Sequence, residues 1–189
     1  MKRNILLIGG VLVIWLSAMI GLVTLPKYLV TEAEQTNTDS LYVPVEIKSG
    51  HAIYIREGCI YCHSQQVRPE GFGSDNERGW GTASLPADYE GLTPHVLGTM
   101  RTGPDLSNIG KRQPSRQWHY IHLYNPRAVV SKSIMPPFPW LFEVVDEDAR
   151  PNDRGINLPP KYRIEGKKVL PTEEAVELVD YLLSLKQER

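Results

Sequence analysis

Apolar positions are spread unevenly along this chain. From Asn4 to Pro26, NILLIGGVLVIWLSAMIGLVTLP, 23 consecutive positions carry no charge, and a helix of that length rises about 33 Å against about 30 Å of bilayer hydrocarbon. A cleaved leader has a shorter apolar run of about 7–15 residues and a small-residue cleavage site. The run here is too long and Ser17 to Gly21 makes a poor site, so the pattern predicts an uncleaved membrane-spanning helix, with Trp15 mid-span as a packing or partner contact. Beyond it, SGHAIYIREGCIYC sets Ile53, Tyr54, Glu57 and Ile60 at helical spacing, predicting a short helix from about Ser49. SRQWHYIHLYNP predicts another, capped by Ser115 and ending before Pro126. A last helix follows Thr172, a good N-cap. Glu173 and Glu174 suit its dipole, and Val176, Val179, Leu182 and Leu183 form an apolar stripe flanked by Leu178 and Leu185. That stripe predicts packing on the helix near Ser49. Residues 64–100, rich in glycine and proline, read as a long structured loop. Residues 136–171 hold seven prolines and read as extended chain, with a short hairpin at YRIEGKKVL. The expectation is an all-α protein with long loop insertions: an anchor over residues 1–30, a polar linker over 31–44 and one domain over 45–189.

Charge orients the anchor. Lys2 and Arg3 precede the span, whereas Glu32, Glu34 and Asp39 follow Lys27, so the amino terminus is expected in the cytoplasm and the domain on the outer side of the cytoplasmic membrane. Removing Lys2, Arg3 and Lys27 leaves 18 of the 21 basic residues against 22 acidic ones, a net charge of −4. That is too weak to imply nucleic acid or strong surface binding to lipid.

The chemistry concentrates in EGCIYCHSQQVRPE, which holds both cysteines of the 189-residue chain. A disulfide between Cys59 and Cys62 would close a tiny loop and remove little chain entropy. A thioredoxin-type motif needs a βαβ pattern that is not visible, and a zinc site needs two further ligands, with no other cysteine available. Covalent attachment of a c-type haem uses all three residues of C-x-x-C-H, the thiols as thioether anchors and His63 beneath the iron. A second axial ligand then decides between electron transfer and ligand binding. Met135 in KSIMPPFPW, Met100, His95, His119 and His122 are the candidates outside the span. Met135 is favoured, because the neighbouring prolines fix φ and stiffen the loop that presents its thioether; gap-filling in a core is the alternative for either methionine. An open iron site, as in a peroxidase or gas sensor, is disfavoured by Met135.

Several residues carry weaker expectations. Arg101 and Arg68 have the guanidinium geometry for haem propionates or are solvated arginines. Trp80, Trp118 and Trp140 either shield the porphyrin or belong to core and interface. His119 and His122 share a helix face without the carboxylates of a metal site, which favours structural roles. Glu143, Asp146, Glu147 and Asp148 form an acidic run, either a docking patch for a basic donor or solvated loop.

The order of helix, C-x-x-C-H, middle helix, methionine loop and terminal helix resembles the class I cytochrome c fold. TGPDLSNIG at 102–110 adds to the likeness, and the resemblance implies that the Pro104 carbonyl orients His63. YIREGCIYCHSQQVRPE, RTGPDLSNIGKR, WHYIHLYNPRAVV and SIMPPFPWL are together similar to the monohaem cytochrome subunit, subunit II, of cbb3-type haem-copper oxidases, over roughly residues 45–142. The resemblance implies a membrane-anchored electron relay with one haem c, fed by another cytochrome and feeding a catalytic integral membrane subunit, with no catalytic site of its own. The small cytochrome subunit of a nitric oxide reductase shares the anchor and single haem c. A freestanding anchored electron shuttle is the third reading, and the short 31–44 segment favours close docking over it.

Overall fold

A computed structural model of the chain describes residues 2–34, 45–89 and 93–186. These fall into two compact units, the N-terminal helix with residues 85–89 and the remaining described residues from 45 to 186. The expected linker at 31–44 lies largely outside the described residues, as does Asp39.

The apolar run forms helix α1 (Lys2–Met19), a wide π turn (Ile20–Thr24) and helix α2 (Leu25–Glu34). Residues Lys2–Leu29 make one continuous helix that contains an 18-residue stretch of mean hydropathy 2.6, long and apolar enough to cross a membrane. The expected span ended at Pro26, but the helix runs through it. Proline has no N–H and its ring crowds the carbonyl four residues back. Widening the preceding turn relieves that crowding, and the Thr24 hydroxyl donates to the Met19 carbonyl at 3.3 Å within it.

The second unit begins with helix α3 (Val45–Arg56), which starts four residues earlier than expected, and ends with helix α6 (Glu173–Ser184). Between them lie two short helices, α4 (Ile109–Arg112) and α5 (Arg116–Tyr124). Both expected caps are in place: the Ser115 hydroxyl accepts from the Trp118 N–H at 3.2 Å, and the Thr172 hydroxyl from the Ala175 N–H at 3.3 Å. Helices α3 and α6 cross at close range, burying Ile53 and Tyr54 against Ala175, Leu178, Val179, Tyr181 and Leu182. The buried stripe of α6 is therefore centred on Leu178 and Val179, with the expected Val176 and Leu183 on its flanks. Gly50 makes the crossing possible, since a Cβ there would lie 2.1 Å from the Glu177 carbonyl oxygen.

The expectation of an all-α chain needs correction. Strands β1 (Phe142–Asp146) and β2 (Lys167–Pro171) pair antiparallel, with Phe142 opposite Pro171 and Asp146 opposite Lys167. The expected local hairpin at YRIEGKKVL does not form. Gly166, at φ +67°, does turn the chain there, but its C-terminal arm pairs with residues 142–146, where Asp146 of β1 meets Lys167 of β2. Asp146 bonds Lys167, and Glu143 pairs with Arg150 at 3.0 Å. The acidic run is thus half strand rather than loop, and two of its carboxylates already hold cations. Phe142 opens β1 in the core, edge-on to Tyr124 at 5.3 Å between ring centroids.

The α3–α6 crossing yields a test. Gly50→Ala should destabilise the folded domain by about 1–3 kcal/mol or more, because the added methyl meets backbone that cannot swing aside. Denaturant or thermal unfolding followed by far-UV circular dichroism would measure it; an unchanged midpoint would show that the helices separate freely.

Candidate functional site

Helix α3 stops at Arg56 because Gly58 takes φ +74°, a left-handed conformation that a side chain disfavours. The chain then makes one tight turn, Cys59–Tyr61, in which the Cys62 N–H (3.1 Å) and the His63 N–H (2.9 Å) both donate to the Cys59 carbonyl. A single turn thereby holds the two thiols and the imidazole on one wall of a cavity of about 620 Å³, well within the ~300–1,000 Å³ of small-molecule sites. Gly103, Pro104, Leu106 and Ile109 form the neighbouring wall. Trp118, His119 and His122 come from α5, Met135, Pro136 and Phe138 from the proline-rich loop, and Tyr54, Leu178 and Leu182 from the crossed helices.

His63 is held in one tautomer. Its Nδ1 lies 2.8 Å from the Pro104 carbonyl oxygen, and a carbonyl can only accept, so Nδ1 carries the proton and Nε2 keeps a lone pair. Burial lowers the imidazole's pKa below its usual value, against an opposing contribution from the Pro104 carbonyl. The net lowering suits a neutral imidazole with a free lone pair. The Gly-Pro tract lies flat on the ring: a Cβ at Gly103 would come 2.2 Å from His63 Cε1. Burial, with Glu57 nearby, pushes the Cys59 thiol up to about 12. A thiol kept protonated is a poor thiolate ligand for a metal ion and a poor redox nucleophile.

The cavity suits a large, flat, mostly apolar group with an iron at its centre. It offers a lone-pair nitrogen, two thiols on the same wall, a thioether and a predominantly aliphatic and aromatic lining. Of the five candidates for a second axial ligand, Met135, His119 and His122 line it. Met100 is 58% exposed and does not, nor does His95. The other two are constrained. His119 Nε2 lies 2.8 Å from the Gln113 carbonyl oxygen and so donates to it. The His122 ring is stacked on Trp118 at 4.6 Å, and its pKa falls to about 4 through burial and the adjacent His63 and His119. Among the described residues none bonds the Met135 sulfur, and its N–H donates to the Ser133 hydroxyl at 3.2 Å, which fixes the loop.

The expected arginines are elsewhere. Arg101 does not line the cavity; its guanidinium forks onto Asp75 at 2.5 and 2.7 Å and reaches Ser64 Oγ at 2.9 Å. Arg68 does not line it either, and its backbone N–H donates to Asp75 at 2.7 Å. Two cations do line the cavity, Lys132 and Arg112; Arg112 is half-buried, with its pKa lowered by that burial, and bonded to the Asp105 carbonyl. Its sequence signal was a basic residue closing SNIGKR straight after the Gly-Pro tract, but charge alone does not show which arginine faces inward. Of the three tryptophans, Trp118 lines the cavity. Trp80 lies under Arg101 (5.2 Å) and Arg78 (5.0 Å), and Trp140 is exposed, donating to Glu57 at 2.9 Å.

Asp75 provides a pH test. Burial raises its pKa, but hydrogen bonds from Arg101 and the Arg68 N–H outweigh this and leave it below the usual carboxylate value. A depressed folded-state pKa gives stability that is present above the unfolded value, near 4, and is lost as pH falls through the folded value. Thermal midpoints should therefore fall more steeply below about pH 4 in the wild type than in Asp75→Asn; parallel curves would show that the pair contributes nothing.

The family described as cytochrome c oxidase, mono-heme subunit/FixO matches residues 1–156 of the chain. No curated protein matches it.

Proposed function

We propose, for a chain that belongs to the mono-haem cytochrome c oxidase subunit (FixO) family, that it carries one covalent haem c and relays electrons into the catalytic subunit of its oxidase. The observation that carries this reading is the single cavity that joins Cys59, Cys62 and His63 to Met135, 72 residues further along, with His63 Nε2 left free to bind. Haem iron would supply one-electron chemistry between its ferric and ferrous states.

Each residue then has a role. The Cys59 and Cys62 thiols would hold the haem by adding S–H across its two vinyl groups. His63 would offer Nε2 to the iron, with the Pro104 carbonyl fixing its ring. Met135 would offer a thioether, a ligand that raises the reduction potential. Arg112, rather than Arg101, is placed to meet a propionate, because its charge is already buried at the cavity wall and a carboxylate there would offset that cost. Leu178, Leu182, Ile109 and Phe138 exclude water. The domain over 45–189 takes a class I cytochrome c-like arrangement, with α3 and α6 as its crossed terminal helices. The helix that runs on to Glu34 anchors it in the cytoplasmic membrane, amino terminus inside and haem domain outside, and the segment from there to Val45 is a linker short enough for close docking. The donor is another cytochrome c.

Purification in mild detergent tests this. A covalent haem that comigrates with an integral membrane subunit turning over oxygen is the expected result. Comigration with nitric oxide turnover would reassign the complex to nitric oxide reduction, and a haem protein migrating alone would make it a free shuttle. The ligand set has its own assay: Cys59→Ser and Cys62→Ser should lower covalent haem content in a pyridine haemochrome measurement. Met135→Ala should remove the far-red sulfur-to-iron band of the oxidised protein and lower its potential, while Met100→Ala leaves both unchanged.

A further inference from the structure

Behind His63, on the side away from the cavity, lies a second concentration of buried polar groups. Asp105 and Asp75 are 0% and 2% exposed, and the Arg101 guanidinium lies between them. Arg101 donates to both carboxylate oxygens of Asp75 at 2.5 and 2.7 Å, to the Gln66 carbonyl at 2.6 Å and to Ser64 Oγ at 2.9 Å. Ser64 Oγ donates in turn to Asp105 Oδ2 at 2.6 Å. The Gln66 N–H donates to the same oxygen at 2.8 Å, and the Ser107 N–H to Oδ1 at 2.8 Å. Two backbone bonds complete the arrangement: the Gly103 N–H donates to the Cys62 carbonyl at 2.9 Å and the Leu106 N–H to the Ser64 carbonyl at 2.8 Å.

These groups flank one bond. Ser64 adjoins His63 in sequence and Asp105 adjoins Pro104, so the network and the two backbone bonds pin both strands of chain that carry the His63–Pro104 contact. Burying two carboxylates and a guanidinium is expensive, and apolar side chains of similar volume would often hold a fold as well. Apolar contacts do not fix an angle or a distance, whereas charge-assisted hydrogen bonds do.

We infer that Ser64, Arg101 and Asp105 are positioning residues that hold the Pro104 carbonyl on His63 Nδ1, and that Asp75 is the arm through which residues 66–84 set the strength of that bond. The inference rests on the proposal that His63 ligates haem iron. A close carbonyl draws the Nδ1 proton, makes Nε2 more electron-rich and favours ferric over ferrous iron, so a firm clamp lowers the potential and a slack one raises it.

Spectroelectrochemical titration of the c-type haem in the detergent-solubilised complex, using the full chain, tests the clamp. Ser64→Ala removes the hydroxyl bridging Arg101 and Asp105 without changing any charge, and Asp75→Asn breaks the fork at a distance from the ligand. Both should raise the midpoint potential, with covalent haem content and the far-red methionine band unchanged, and Ser64→Thr should restore the wild-type value. Haem-loaded Ser64→Ala and Asp75→Asn proteins at the wild-type potential, with only a lower melting temperature, would overturn the inference. So would a Ser64→Thr protein shifted as far as Ser64→Ala. Wild-type protein without covalent haem would instead overturn the underlying reading of His63.

Discussion

Everything at the site depends on the contact between His63 Nδ1 and the Pro104 carbonyl. It joins segments 41 residues apart, decides which imidazole nitrogen holds the proton and leaves the other with its lone pair. It requires glycine at 103, because no other side chain fits between the tract and the ring. The long chain between the two partners also has to return to its starting point. The buried polar groups of Asp75, Arg101 and Ser64 make that return specific where a glycine- and proline-rich loop has few apolar residues to bury.

The α3–α6 crossing plays the corresponding part for the cavity floor. Gly50 lets the helices approach closely enough for Tyr54, Leu178 and Leu182 to face the space left by the Cys59–Tyr61 turn. Strands β1 and β2 sit at the ends of the segments that deliver the methionine loop and α6. The Thr172 N–H and hydroxyl both donate to the Leu141 carbonyl, at 3.0 and 2.9 Å, so the loop carrying Met135 and the start of α6 are tied at one point. The family match ends at residue 156, yet α6 closes the cavity, and the part of the chain beyond the match is structurally integral to the site.

Much of this was legible in the sequence, for identifiable reasons. The long apolar N-terminal helix followed from an uncharged run, which no tertiary contact alters. C-x-x-C-H is a local motif whose spacing sets two thiols and an imidazole on one turn, and the caps at Ser115 and Thr172 are local hydrogen bonds. The sheet was less legible, because strand partners 20 or more residues apart leave no periodic trace in segments as short as Phe142–Asp146 and Lys167–Pro171. The start of α3 was missed for a related reason: Val45 to Lys48 has no strong cap or breaker to mark it.

By itself the sequence determined the local features: an apolar N-terminal helix, two thiols and a histidine on one turn, a proline-rich loop holding a methionine, and an amphipathic last helix. Only the tertiary structure decided which distant residues share the cavity. It placed Arg112 at the wall and spent Arg101 on Asp75, placed Met135 inside and Met100 outside, set Asp146 opposite Lys167 across the sheet and paired Glu143 with Arg150. The physical reason is that spacing along a chain constrains neighbours within a turn or two, whereas the direction of a long side chain is set by what packs against it from elsewhere.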